Sequence, residues 1–199
     1  MNYLAHFQLA WPEDELVVGA LEGDYLKGPL IGQLPIGIEH GVRLHRAIDA
    51  FTDQHSQMAE MRRHFPLEIR RYSGILIDLS FDHYLSKHWS TYSALPLEAF
   101  NAHVYQSLQT HQHYLGPSAQ RMLSRMLEYD LLGMYGQWDT IGATAARIGE
   151  RFRRGNPFLQ AEQYLEPAKE QLERVFLNFY PELVEFCTLK KQQLNLTSG

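Results

Sequence analysis

Cysteine is almost missing from this chain: Cys187 is the only one in 199 residues. A lone thiol excludes an internal disulfide and a thiolate-built zinc site, and it gives no hint of an oxidising compartment. Long apolar runs are missing too, since none reaches the roughly 20 residues of a membrane span. The opening segment MNYLAHFQLAWPEDE has neither the basic start nor the small-residue cleavage site of a secretory leader. The cytoplasm is therefore the expected compartment. Strand-type alternation of Val, Ile and Thr is scarce, and neither Asn-Gly nor Asp-Gly occurs to turn a hairpin. Net positive charge is also lacking. With 18 Lys and Arg against 23 Asp and Glu the chain carries −5, which argues against a nucleic-acid binder. No Gly-rich phosphate loop, Ser-His-Asp arrangement or cysteine nucleophile site is recognisable.

What is present reads as helix almost throughout. The length suits one large domain over 1–199. The pattern predicts helices over 3–11, capped by Asn2 and ended by Pro12, and over 13–27. A breaker-rich connection, GPLIGQLP, then leads to helices over 36–55, 58–64, 67–89 and 97–115. Further helices are expected from Ser118, as cap, to 132, over 140–152, and over 161–191 with an interruption at Pro181. Residues 191–199 are expected to fray. The expected class is an all-α, single-domain helical bundle.

The chemistry centres on VRLHRAIDAFTD at 42–53. His45, Asp49, Thr52 and Asp53 share one helix face beside an apolar stripe of Leu44, Ile48 and Phe51. Asp24 falls where an apolar residue is expected, flanked by Gly19 and Gly23. Asp78 and Asp82 stand four apart in the middle of a core stripe. Two like charges there repel and lose hydration unless protons, arginines or a cation compensate them. Carboxylates with one or two imidazoles suit a hard divalent cation such as Mn²⁺ or Mg²⁺. A cation so held favours phosphoester hydrolysis, with Arg46 or Arg43 available to a non-bridging oxygen. Spacing alone stops at a metal-dependent hydrolase. The histidines 103, 111 and 113 read as surface residues. Arginines gather in two clusters, 62, 63, 70 and 71, then 147, 151, 153 and 154, either of which could meet an acidic partner.

Four ordered segments, MNYLAHFQLA at 1–10, GALEGDYLKG at 19–28, GVRLHRAIDAFTD at 41–53 and IDLSFDHYLSKHW at 77–89, resemble the bacterial acyl-carrier-protein phosphodiesterases. Weaker similarity, including FYP at 179–181, extends to the end of the chain. The resemblance implies a divergent relative of HD-domain phosphohydrolases that removes 4′-phosphopantetheine from holo acyl carrier protein with Mn²⁺ or Mg²⁺. It implies an essential Asp24, beside which Arg46, from the reading of the residues, is the second catalytic candidate. The metal-site candidates are Asp24, His45, Asp49, Asp78 and Asp82. His6, Arg43, Asp53 and His83 are candidates for contacting phosphate or supporting the ligands. Ordinary HD enzymes carry a His-Asp dipeptide, which this chain lacks; its only adjacency is Asp82-His83, in reverse order. Carrier proteins are acidic, so Arg62, Arg63, Arg70 and Arg71 form the expected docking surface. No nucleic acid or membrane partner is expected, and the oligomeric state is open. Competing readings are an HD-like phosphohydrolase of nucleotides or other small phosphoesters, a non-catalytic helical module that binds acidic partners, and a structural bundle whose carboxylates pair with Arg43, Arg46 and Arg71.

Overall fold

A computed structural model describes residues 2–153 and 155–196. The elements are α1 (Tyr3–Ala10), α2 (Asp14–Gly23), α3 (Ile36–Gln54), α4 (Ser56–His64), α5 (Leu67–Arg70), α6 (Ser73–Lys87) and α7 (Trp89–Tyr92). There follow α8 (Leu97–Thr110), a 3₁₀ turn (Gln112–Tyr114), α9 (Pro117–Tyr129), α10 (Leu131–Met134), α11 (Asp139–Gly149) and α12 (Glu162–Leu196). No strand occurs among the described residues, as the all-α expectation required.

The tightest packing in the fold is between α2 and α3. A Cβ on Gly19 would sit 2.2 Å from the Ile38 carbonyl oxygen and 2.6 Å from Cα of Gly41, so the two backbones touch. Side by side stand Glu15 with Gly37, Gly19 with Gly41, and Gly23 with His45. Both numbers rise together, so α2 and α3 run parallel and residues 24–35 carry the chain back along the pair. Helix α1 packs against α2, α3 and α6. It is buried around most of its circumference, with Leu4, Ala5, Phe7 and Ala10 fully enclosed. The long α12 lies across α3, α4, α6 and α11. It is tied to α1 by the Tyr180 hydroxyl, which donates to Gln8 Oε1 at 2.8 Å.

Several boundaries differ from expectation. Helix α2 stops at Gly23, so Asp24 lies just beyond the helix and is exposed. The helix expected over 67–89 is three pieces, parted at 71–72, where the Ser73 hydroxyl donates to the Arg70 carbonyl, and again at His88. Asp130, left-handed at φ 44°, divides the helix expected to reach 132, and that helix begins at Pro117 rather than after Ser118. Helix α12 passes through Pro181 without interruption and extends to Leu196, so the tail is helical five residues past Lys191; residues 197–199 lie outside the described residues. Asn2 does not cap α1 with its side chain, which donates instead to the Tyr135 hydroxyl at 2.7 Å.

Candidate metal centre

Helices α1 and α3 bring His6, His45 and Asp49 together so that one ligand atom from each lies within 4.8 Å of the others. His45 and Asp49 are a turn apart on α3, as their spacing predicts, with His45 Nε2 3.2 Å from Asp49 Oδ2. His6 reaches the other oxygen: its Nε2 is 3.2 Å from Asp49 Oδ1. The two imidazoles stack with centroids 4.1 Å apart. Their Nδ1 atoms are buried and without a hydrogen-bond partner. Gly23 makes room for this, since a Cβ there would meet the His45 ring at 2.6 Å. Asp24 stands at the edge, its Oδ1 3.6 Å from His45 Nε2.

The electrostatics prepare a ligand set. Burial, then the neighbouring His45, pushes His6 down to about 3, so its imidazole is neutral with a lone pair to give. Burial works to raise Asp49, but hydrogen bonds from His45 and His6 outweigh it and hold the carboxyl well below the usual range. Asp49 is therefore ionised, and its side chain is 46% exposed, open to solvent on one side. Two imidazoles, that of His6 held neutral, and an ionised carboxylate bring their ligand atoms together and fit a divalent cation with positions left for water and a ligand. The centre opens into a cleft of about 270 Å³ lined by Asp24, Lys27, His45, Arg46 and Asp49. Arg46 is steadied there by donating to the Leu26 carbonyl at 2.8 Å.

The remaining candidates from the sequence are placed elsewhere or at the margin. Asp78 on α6 stands outside the three-residue cluster but close enough that, after burial, the charges of Asp49 and Asp53 help raise it. Asp82 has a different post. Its carboxyl is fully buried and accepts from the backbone N–H of Leu4 at 2.7 Å and Ala5 at 3.2 Å, capping the first turn of α1. Burial nevertheless raises it to about 7 against those two donors. His83 faces away: its Nδ1 donates to the Tyr135 carbonyl at 2.9 Å and its ring packs on Trp138. Arg43 turns to Glu39, and Asp53 is paired with Arg62. Of the expected docking arginines, Arg63 and Arg70 donate to nearby carbonyls and Arg71 lies over the Tyr72 ring at 4.4 Å. Among the described residues, Arg43, Arg46 and Arg71 form no ion pair with Asp24, Asp49 or Asp82.

His6 is the residue that spacing could not assign. Its partners lie on another helix, and the only sign in the sequence is one ionisable side chain within an otherwise buried apolar segment.

The family model described as acyl carrier protein phosphodiesterase matches residues 1–183. Proteins named acyl carrier protein phosphodiesterase align over nearly the whole chain. The one from Klebsiella pneumoniae strain 342 is 30% identical, covering 96% of this chain and 100% of its own length. The one from Pectobacterium atrosepticum is 31% identical, with 98% and 100% covered. The Escherichia coli O6:H1 protein is 30% identical, with 96% and 99% covered. No solved structure matches the chain. Helices α1 and α3, which carry His6, His45 and Asp49, both fall inside the matched region, and the chain belongs to the acyl carrier protein phosphodiesterase family.

Proposed function

We propose that the protein is a divalent-metal-dependent phosphodiesterase that cleaves 4′-phosphopantetheine from the serine of holo acyl carrier protein, leaving the apo protein. The observation that carries this reading is the His6, His45 and Asp49 cluster, which opens into a cleft within a chain whose relatives are named for this activity. His6, His45 and Asp49 would hold the ion. With two imidazoles among three donors, the set leans to Mn²⁺ over the oxygen-preferring Mg²⁺. Such a cation, when bound, neutralises charge on a phosphoryl oxygen and assists water activation.

The chain's own groups do the rest. Arg46, fixed at the cleft, presents a guanidinium to a non-bridging phosphoryl oxygen and stabilises charge that builds there. Asp24, exposed at the lip, accepts the proton of the attacking water. Its backbone carbonyl takes the Lys27 ammonium at 2.8 Å, which steadies the lip. His6 and His45, closed in on their inner sides, exclude water behind the reacting phosphate.

Intact-mass spectrometry of holo carrier protein incubated with enzyme and Mn²⁺ tests the reading. Loss of the phosphopantetheine mass, abolished by EDTA, by Asp24→Ala and by His6→Ala, is the expected result. No mass change with folded, Mn²⁺-loaded enzyme would overturn it.

A further inference from the structure

The metal centre uses little of the free space in this molecule. Its cleft, about 270 Å³, has room for a phosphoryl group and its nearest substituents. A larger cavity of about 720 Å³ lies among α6, α9, α10, α11 and the start of α1. That volume is in the range of about 300–1,000 Å³ typical of small-molecule sites.

The start of α1 reaches from the cavity to the cluster. Tyr3 lines the cavity and His6 belongs to the metal cluster, and they are three apart on one face of α1. The Tyr3 hydroxyl is 2.8 Å from that of Tyr25, which follows Asp24 directly. Burial, then the charge of Asp24, raises the Tyr3 phenol, so it is a neutral hydrogen-bonding group beside the catalytic lip.

The cavity's chemistry is graded. Leu79 and Ile141 are buried and form an apolar floor, with half-buried Met122 and Met134 along the wall. At the rim, Arg125, Arg147 and Arg151 are exposed, and none is ion-paired among the described residues. Glu150 also lines this rim. Two of these arginines belong to the second cluster of the sequence, the function of which the metal centre leaves unexplained; Arg154 of that cluster lies outside the described residues. An apolar floor suits the gem-dimethyl and thiol groups of a pantetheine chain, and the cationic rim suits the acidic protein from which that chain extends.

We propose that this cavity is the arm subsite: it receives the pantetheine chain beyond the scissile phosphodiester, while the cleft beside His6, His45 and Asp49 holds the phosphate. The assignment rests on the phosphodiesterase reading above and adds to it where the leaving group lies and which residues select it. Leu79, Met122 and Ile141 set the depth available to the arm's far end. The Tyr3–Tyr25 pair stands at the crossing between the two spaces.

Met122→Trp and Ile141→Trp fill the cavity without touching the metal cluster. Each is compared with the wild type by hydrolysis of holo carrier protein, by equilibrium binding of free 4′-phosphopantetheine, and by thermal melting. Both variants should weaken 4′-phosphopantetheine binding about tenfold or more and raise KM for holo carrier protein in step, with kcat retained. Should buried Ile141→Trp fail to fold, Met122→Trp on the half-buried wall carries the test. Equal 4′-phosphopantetheine affinity in wild type and folded variants, or no binding by the wild type, overturns the subsite. Wild-type enzyme that binds 4′-phosphopantetheine but leaves holo carrier protein intact would instead overturn the phosphodiesterase reading, so the two failures are separable.

Discussion

At the scale of the residue, the candidate metal centre depends on a side chain that is not there. Gly23 faces the His45 ring at a distance no Cβ can occupy. Gly23→Ala must push the imidazole aside, because the glycine's own backbone is held in α2. A displacement near 1 Å in a positioned catalytic group can cost about 10²-fold in rate. Turnover and Mn²⁺ affinity should therefore fall together, on the order of 100-fold for turnover. Steady-state kinetics and calorimetric metal titration read both. Normal metal affinity in a folded Gly23→Ala protein would show that the His45 ring is not held by this contact.

At the scale of the element, α1 is fastened at its start by a carboxyl from α6. Asp82 satisfies the N–H groups of Leu4 and Ala5, which otherwise end in the core. Asp82→Ala should cost about 1–3 kcal/mol, the usual penalty for stranding buried donors. At about 2–4 °C per kcal/mol for a chain of this size, the melting temperature should drop by several degrees. Because α1 carries His6, metal affinity should fall as well, which a purely remote destabilisation would not produce. This anchor also explains what the sequence could and could not disclose. His45 and Asp49 were legible because both sit on one helix, where spacing fixes their relative direction. Asp82 was legible as a carboxyl in an apolar phase, yet its partners are backbone groups of another helix, which leave no mark in the sequence. The apolar phase places Asp24 in a core stripe, whereas α2 ends at Gly23 and leaves it exposed. The helical class and the extent of α3 followed from periodicity; the break at 71–72 falls where one hydroxyl chooses a carbonyl.

At the scale of the whole molecule, burying a neutral histidine ties stability to pH. His6 is pushed down to about 3 in the folded protein from about 6.5 when free. Below 6.5 the unfolded chain takes up a proton that the folded one refuses, so this contribution is lost as pH falls. By pH 5 the loss is about 2 kcal/mol, from 1.36 kcal/mol per pH unit. Asp82, raised to about 7, takes up a proton in the same window and stabilises the fold in the opposite sense. The His6 contribution is therefore read as the difference between wild type and His6→Asn in denaturant titrations of metal-free enzyme in EDTA between pH 7 and 5. Identical slopes in the two proteins would contradict a neutral, buried His6.

The parallel pairing of α2 and α3 bears on how much chain the protein could do without. Gly23 stands level with His45, so residues 24–35 must descend only the stretch of α3 from Ile36 to His45. At 1.5 Å per residue that descent is about 14 Å, which four or five extended residues could cover. The connection is thus longer than its span demands, and its early part, Leu26 to Gly28, forms a wall of the cleft. Farther along, Gly32 donates to Glu39 Oε1 at 2.7 Å and secures the return. Excising residues 29–31, between these two attachments, should leave melting nearly unchanged while loosening the wall and raising KM. The surplus length is enclosure around the cleft, and shortening it would trade that enclosure for access.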